Sequence, residues 1–189
     1  MIINKLKLLI IFGIALFISG CASSHYSVLQ APSQPVNTFD KLEIADFTSN
    51  LKDEVSIDLA DRFAGQLYRA IMKERELHPG ESVFEEIVLD TDDVEGVLLL
   101  NGTVISFEEG SRAARYFIGF GAGKAYCTIQ AVFTNKATGE DIIRTNFDGE
   151  LSMGLFGGSP EEAVDAVVKA FITYFDEYFE KEGLRPSKT

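Results

Sequence analysis

Apolar positions recur along the chain with two periods, and each period predicts a different kind of element. From Asp53 to Glu76, Val55, Leu59, Phe63, Leu67, Ala70 and Ile71 fall three or four residues apart, which aligns them on one side of an amphipathic helix. Leu77-His78-Pro79-Gly80 ends it, because proline has no amide to donate and glycine suits a left-handed exit. His78 is therefore expected at an exposed helix end and not as a catalytic base. A second helix starts at Ser159-Pro160-Glu161-Glu162. Ser159 can cap an orphan amide, Pro160 suits the first helical position, and Glu162 completes a capping box. Ala163, Val164, Val167, Val168, Phe171, Ile172, Phe175 and Phe179 give this helix a broad apolar stripe, and Gly183 a stop.

Alternation by two marks the strands. Ala125, Cys127, Ile129, Ala131 and Phe133 share one face of a strand over 125–134, the Asn135-Lys136-Ala137-Thr138-Gly139 turn follows, and Ile143, Thr145, Phe147, Gly149 and Leu151 repeat the pattern on a partner strand over 141–151. Weaker strand patterns cover 39–47, where Leu42, Ile44 and Phe47 suggest a first strand by partial alternation, then 82–89 and 94–107. The order β-α-β-β-β-β-α predicts an α/β, or α+β-like, fold. It is a single two-layer domain over 38–184, with a mixed, largely antiparallel sheet covered on one side by two long amphipathic helices. Residues 185–189 are expected to form a disordered tail.

The residues ahead of this domain follow neither period. Lys5 and Lys7 precede an uncharged run from Leu8 to Phe17, the layout of a secretory signal and shorter than the about 20 residues of a bilayer span. The run closes on Ile18-Ser19-Gly20-Cys21, which resembles the bacterial lipobox. That resemblance implies cleavage between Gly20 and Cys21 and a diacylglyceryl group, usually with a third acyl chain, on Cys21. Several chains give stable anchoring, since each buried methylene contributes about 0.8 kcal/mol. Ala22 after the cysteine implies the outer membrane, with the domain facing the periplasm. Residues 21–37, rich in Ser, Pro, Gln and Ala, read as a flexible tether in which His25 is solvated.

Composition narrows the chemistry. Hydrophobic residues make up 46%, enough for a real core, and the formal net charge of −12 argues against a nucleic-acid partner. With Cys21 acylated, Cys127 has no intramolecular partner and is expected to pack as a small hydrophobe. The acidic turn Asp90-Thr91-Asp92-Asp93 fails as a calcium loop, because Val94 and Glu95 stand at its fifth and sixth positions. No metal and no cofactor is expected. The chain has no G-x-S-x-G elbow, and the 29 acidic residues leave a carboxylate-based hydrolase as the weakest of the functional alternatives.

Eleven of the 16 glycines lie between Gly96 and Gly158, and two strings combine them with aromatic residues. Gly110 to Lys124 contains Arg112, Arg115, Tyr116, Phe117, Gly119, Phe120, Gly121 and Gly123, while Met153 to Gly158 contains Leu155 and Phe156. Lys124 follows Gly123 as in a phosphate loop, but Ala125 replaces the required hydroxyl and a strand follows in place of a helix; Lys124 also occupies the last glycine of a G-x-G-x-x-G. One reading is an irregular hairpin tip or kinked strands inside one subunit. The sharper one is a contact surface, because this much apolar area is costly to leave wet.

The string GSRAARYFIGFGAGKA, the Thr138-Gly139-Glu140 turn and LSMGLFGGSPEEA together resemble the domain-of-unknown-function family numbered 4410, found in bacterial lipoproteins. The resemblance spans about residues 39 to 180 and implies a small α/β envelope domain, without catalytic residues to carry over. A looser likeness in element order to the amino-terminal domain of the curli secretion channel family implies oligomeric envelope assemblies. The expectation is a membrane-anchored, non-enzymatic accessory or scaffold lipoprotein that meets an envelope protein or further copies of itself through its Gly/aromatic segments. The alternative is an anionic ligand or lipid head group bound near Arg112 and Arg115.

Overall fold

A computed structural model describes residues 22–80, 82–108, 125–151 and 160–181. Strands β1 (Ala22–Gln30), β2 (Lys41–Ser49), β3 (Glu86–Val88), β4 (Val97–Glu108), β5 (Ala125–Asn135) and β6 (Asp141–Leu151) form one sheet in the order β1-β6-β5-β4-β2-β3. The pairs β1/β6, β6/β5 and β5/β4 are antiparallel, and β4/β2 and β2/β3 are parallel. Helices α1 (Glu54–Leu77) and α2 (Pro160–Lys181) pack against the sheet and against each other. The domain is thus the expected single α+β layer structure with one more strand in front.

That extra strand corrects the tether. Ala22–Gln30 pairs with β6 from Ala22↔Leu151 to Gln30↔Arg144, with one irregularity after Val28. The segment lacks a hydrophobic run, yet β6 offers it a free hydrogen-bonding edge, and Tyr26 fastens it. Its ring meets Tyr174 edge-on at 5.0 Å, and its hydroxyl donates to Glu177 on α2. The rest of the expected tether is also engaged, since Val36 of a short 3-10 helix (Val36–Thr38) is buried. The folded unit therefore includes the residues of the expected tether from Ala22 onward.

The other elements follow from their patterns. The Asp53 side chain accepts from the Ser56 amide at 2.8 Å and caps α1, which buries Leu59, Phe63 and Leu67. On β5 and β6, Cys127, Ile129, Ala131, Phe133, Ile143, Thr145 and Phe147 are buried against the helices. Phe171 of α2 is the centre of this layer. It stacks on Phe147 at 3.6 Å between centroids and meets Phe63 at 5.7 Å and Phe47 at 6.5 Å. One helical ring thereby joins β6, α1 and β2, and its removal to alanine costs about 3–5 kcal/mol. Gly102 of β4 leaves room for the Phe47 ring, because a Cβ there would meet a Phe47 ring carbon at 2.7 Å and the Gln130 backbone carbonyl at 2.9 Å. Gly139, at φ +72°, makes the left-handed step in the β5–β6 turn.

The strands over 82–89 and 94–107 begin later than expected. Val94 and Leu89 are exposed, and the connection between them is held by charge instead. Lys41 Nζ lies 2.6 Å from Asp93 and 2.7 Å from Glu86. The acidic turn at 90–93 is therefore partly neutralised by a lysine from β2.

Candidate functional site

The expected contact residues Arg112, Arg115, Tyr116, Phe117, Gly119, Phe120, Gly121, Gly123, Leu155 and Phe156, together with the cleavage position Gly20 and Cys21, lie outside the described residues. What is described is where the chain leaves for and returns from these segments. Glu108 pairs with Tyr126 across β4 and β5, Ala125 pairs with Leu151 across β5 and β6, and Leu151 pairs with Ala22 across β6 and β1. With neighbouring strands about 4.8 Å apart, Ala22 and Ala125 stand about 10 Å from each other. The first residue after Cys21 and the borders of both Gly/aromatic segments thus share one end of the sheet. Sequence spacing does not bring Ala22 near Ala125 or Leu151; the register of β1 on β6 does.

Leading away from this end, the sheet face not covered by the helices is a ladder of polar side chains. Thr128 donates to Asp148 at 2.7 Å, Gln130 donates to Asn146 at 3.3 Å, and Thr48 and Thr103 share a hydrogen bond at 3.2 Å. Arg144 donates to Asp141 at 2.6 Å and to the side-chain amide oxygen Oε1 of Gln130 at 3.4 Å. Most of these groups are half-buried and satisfy one another, which suits a sheet face in contact with water. His25 on the edge strand is exposed, as expected, and pairs in register with Asp148. Next to the row Ala22–Leu151–Ala125, Tyr126 is exposed, flanked by the register partners Glu108 and Glu150.

Two groups inside the core have perturbed titration. Burial pushes the Cys127 thiol up to about 12, with the Asp148 carboxylate adding to the shift, so the thiol is neutral and unreactive at ordinary pH. Burial likewise pushes the Tyr174 phenol up to about 12, against an opposing pull from Thr145. Neither the Tyr174 hydroxyl nor Thr145 Oγ1 has a well-formed hydrogen bond. Tyr26 is raised as well, because Glu177 accepts its proton in the hydrogen bond. This tyrosine cluster, Tyr26, Tyr174 and Tyr178 around Thr145 and Glu177, is absent from the sequence reading. Its signal was a lone aromatic in a serine-rich strand and a second aromatic row on α2, where Tyr174 and Tyr178 stack at 6.0 Å.

His78 is the exposed C-cap of α1, 3.8 Å from Glu74. Among the described residues no three His, Cys, Asp or Glu side chains are grouped so as to hold a metal ion, and no helix is long and apolar enough to cross a membrane. The site available for function is therefore a surface with a polar open face and a converging end, without a cluster of reactive groups among the described residues.

A family model described as a domain of unknown function, DUF4410, matches residues 48–149. None of the curated proteins compared with the chain matches it. Among solved structures, two crystal forms of the PelC dodecamer from Paraburkholderia phytofirmans are similar to it, one of them a methionine-for-leucine variant. Each is 10% identical, with 80% of this chain and 95% of the other covered, at TM-scores of 0.46 and 0.47. A likeness at this depth concerns the arrangement of strands and helices and carries no argument about activity or assembly.

Proposed function

The chain belongs to the DUF4410 family, and for this member we propose a non-enzymatic envelope lipoprotein, held by a lipidated Cys21 and acting by contact with another envelope protein or with further copies of itself. The observation that carries the reading is the row Ala22–Leu151–Ala125. It unites at one sheet end the residue that follows the lipobox cysteine and the borders of the segments containing Phe117, Phe120, Leu155 and Phe156. Attachment and contact then belong to the same part of the molecule. The Ala22 that follows Cys21 makes the outer membrane, on its periplasmic side, the site of attachment.

The test has two arms. Labelling cells with a radioactive or clickable palmitate and weighing the N-terminal peptide should find acyl chains on Cys21, and Cys21→Ser should lose both label and membrane association. Mild crosslinking followed by pull-down should recover a defined complex that Phe120→Asp and Phe156→Asp each abolish while circular dichroism stays native. An unacylated Cys21 in the membrane fraction, or complexes indifferent to both aspartates, overturns the proposal.

A further inference from the structure

We propose that the end of the sheet where β1 begins faces the lipid bilayer at head-group level, so that the ends of β1, β5 and β6 are turned to the membrane with no spacer between the anchor and β1. This inference rests on the lipid anchor at Cys21 proposed above. Consecutive α carbons are about 3.8 Å apart, and Ala22 is already a paired strand residue. An anchor one residue upstream of a paired strand has no slack with which to hold the domain away. The acylated thioether sits at the level of the lipid head groups, a layer only about 5–8 Å deep on each side of the hydrocarbon. Ala22 and its row partners Leu151 and Ala125 are consequently brought to that layer.

The residue next to this row fits such a position. Tyr126 is 38% exposed on the open face, and a tyrosine ring with its polar tip is well suited to the boundary between hydrocarbon and water. The opposite end of β5, at Asn135, is nine residues further, or roughly 30 Å at about 3.3 Å per residue. The turn at 136–139 therefore points away from the membrane. With a net charge of −12 and acidic register partners Glu108 and Glu150 beside Tyr126, the protein gains nothing from anionic lipid. The covalent anchor and the short connection fix the orientation.

The chain contains no tryptophan, so a single introduced indole is an unambiguous reporter. Full-length lipidated Tyr126→Trp, Glu108→Trp and Thr138→Trp proteins are reconstituted into phosphatidylcholine vesicles with and without brominated acyl chains. The bromines should reduce emission at least about twofold for Tyr126→Trp or Glu108→Trp, and leave Thr138→Trp, about 30 Å distant, nearly unchanged. Either near variant suffices if the other misfolds. Inserting about ten Gly and Ser residues between Cys21 and Ala22, a reach of roughly 17 Å, should abolish the difference while flotation with vesicles persists. Equal quenching at positions 126, 108 and 138 in a protein whose Cys21 is acylated by mass overturns the orientation alone. An unacylated protein that fails to float overturns the anchor itself, and the orientation with it.

Discussion

Lys136, in the β5–β6 turn, sets its ammonium 2.5 Å from the Glu43 carboxylate of β2 and also donates to the Thr91 carbonyl at 2.5 Å. Glu43 is the one buried acid among the described residues, in a strand where Leu42 and Ile44 on either side are also buried. The lysine compensates the carboxylate for the water it loses. Lys136→Met leaves that charge unpaired and should cost about 2–4 kcal/mol in urea unfolding, whereas adding Glu43→Leu should restore most of the loss. A double variant no more stable than the single one would show that the pair is incidental.

Thr145 and Tyr174 give the opposite sign. Thr145 Oγ1 is buried with no well-formed hydrogen bond, the Tyr174 hydroxyl being the polar group it acts on, and valine has the same branched shape without the hydroxyl. Thr145→Val should therefore raise stability by about 1 kcal/mol, measured as a higher urea midpoint at unchanged slope.

Gly102 and Phe47 compete for one volume. Gly102→Ala should destabilise by about 1–3 kcal/mol, because the new methyl enters the Phe47 ring. Combining it with Phe47→Leu should cost less than the two single effects added together, a non-additivity that unfolding of all four proteins of the cycle would measure.

Cys127 should resist modification. A thiol raised from 9.0 to about 12 carries roughly a thousandfold less thiolate at neutral pH. In the folded protein iodoacetamide should label it only over hours, and in urea within minutes. Rapid native labelling, followed by intact mass, would contradict the burial.

Asp53 sets an acid dependence. The Ser56 amide and then its hydroxyl hydrogen-bond the carboxylate and hold its pKa below the ordinary 3.8. A folded-state pKa that is depressed means stability fully present above about pH 4 and lost as pH falls through the lowered value. Asp53→Asn caps comparably at neutral pH but does not titrate. Its melting temperature should fall less than the wild type's between about pH 5 and pH 2.5.

The elements that could be read in the sequence were those in which one residue period and one buried face coincide. Leu59, Phe63 and Leu67 in α1, and Ile129, Ala131 and Phe133 in β5, announced both element and face. β1 could not be read this way, because its alternation consists of Ser24, Tyr26 and Val28, of which Val28 remains 45% exposed. Its place comes from partners far along the chain, Leu151 in register and Glu177 at its tyrosine, and no local pattern encodes them. Glu43 was unreadable for a similar reason, since its burial depends on Lys136. The Gly/aromatic strings and Cys21 were legible as motifs only. That the described residues bordering them, Ala22, Glu108, Ala125 and Leu151, share one sheet end is a property of strand register.

Strand β1 is synthesised ahead of the other described strands, and its sheet partner among the described residues is β6, the last of them. Until that late partner exists, the amides and carbonyls of Ala22–Gln30 have nothing in their own chain to pair with in the sheet. Closing this edge spans nearly the whole domain, which makes it a slow, high-contact-order step. A nascent chain stalled before β6 thus exposes an unpaired strand of no formal charge, the form of backbone most readily captured by chaperones or by another stalled copy.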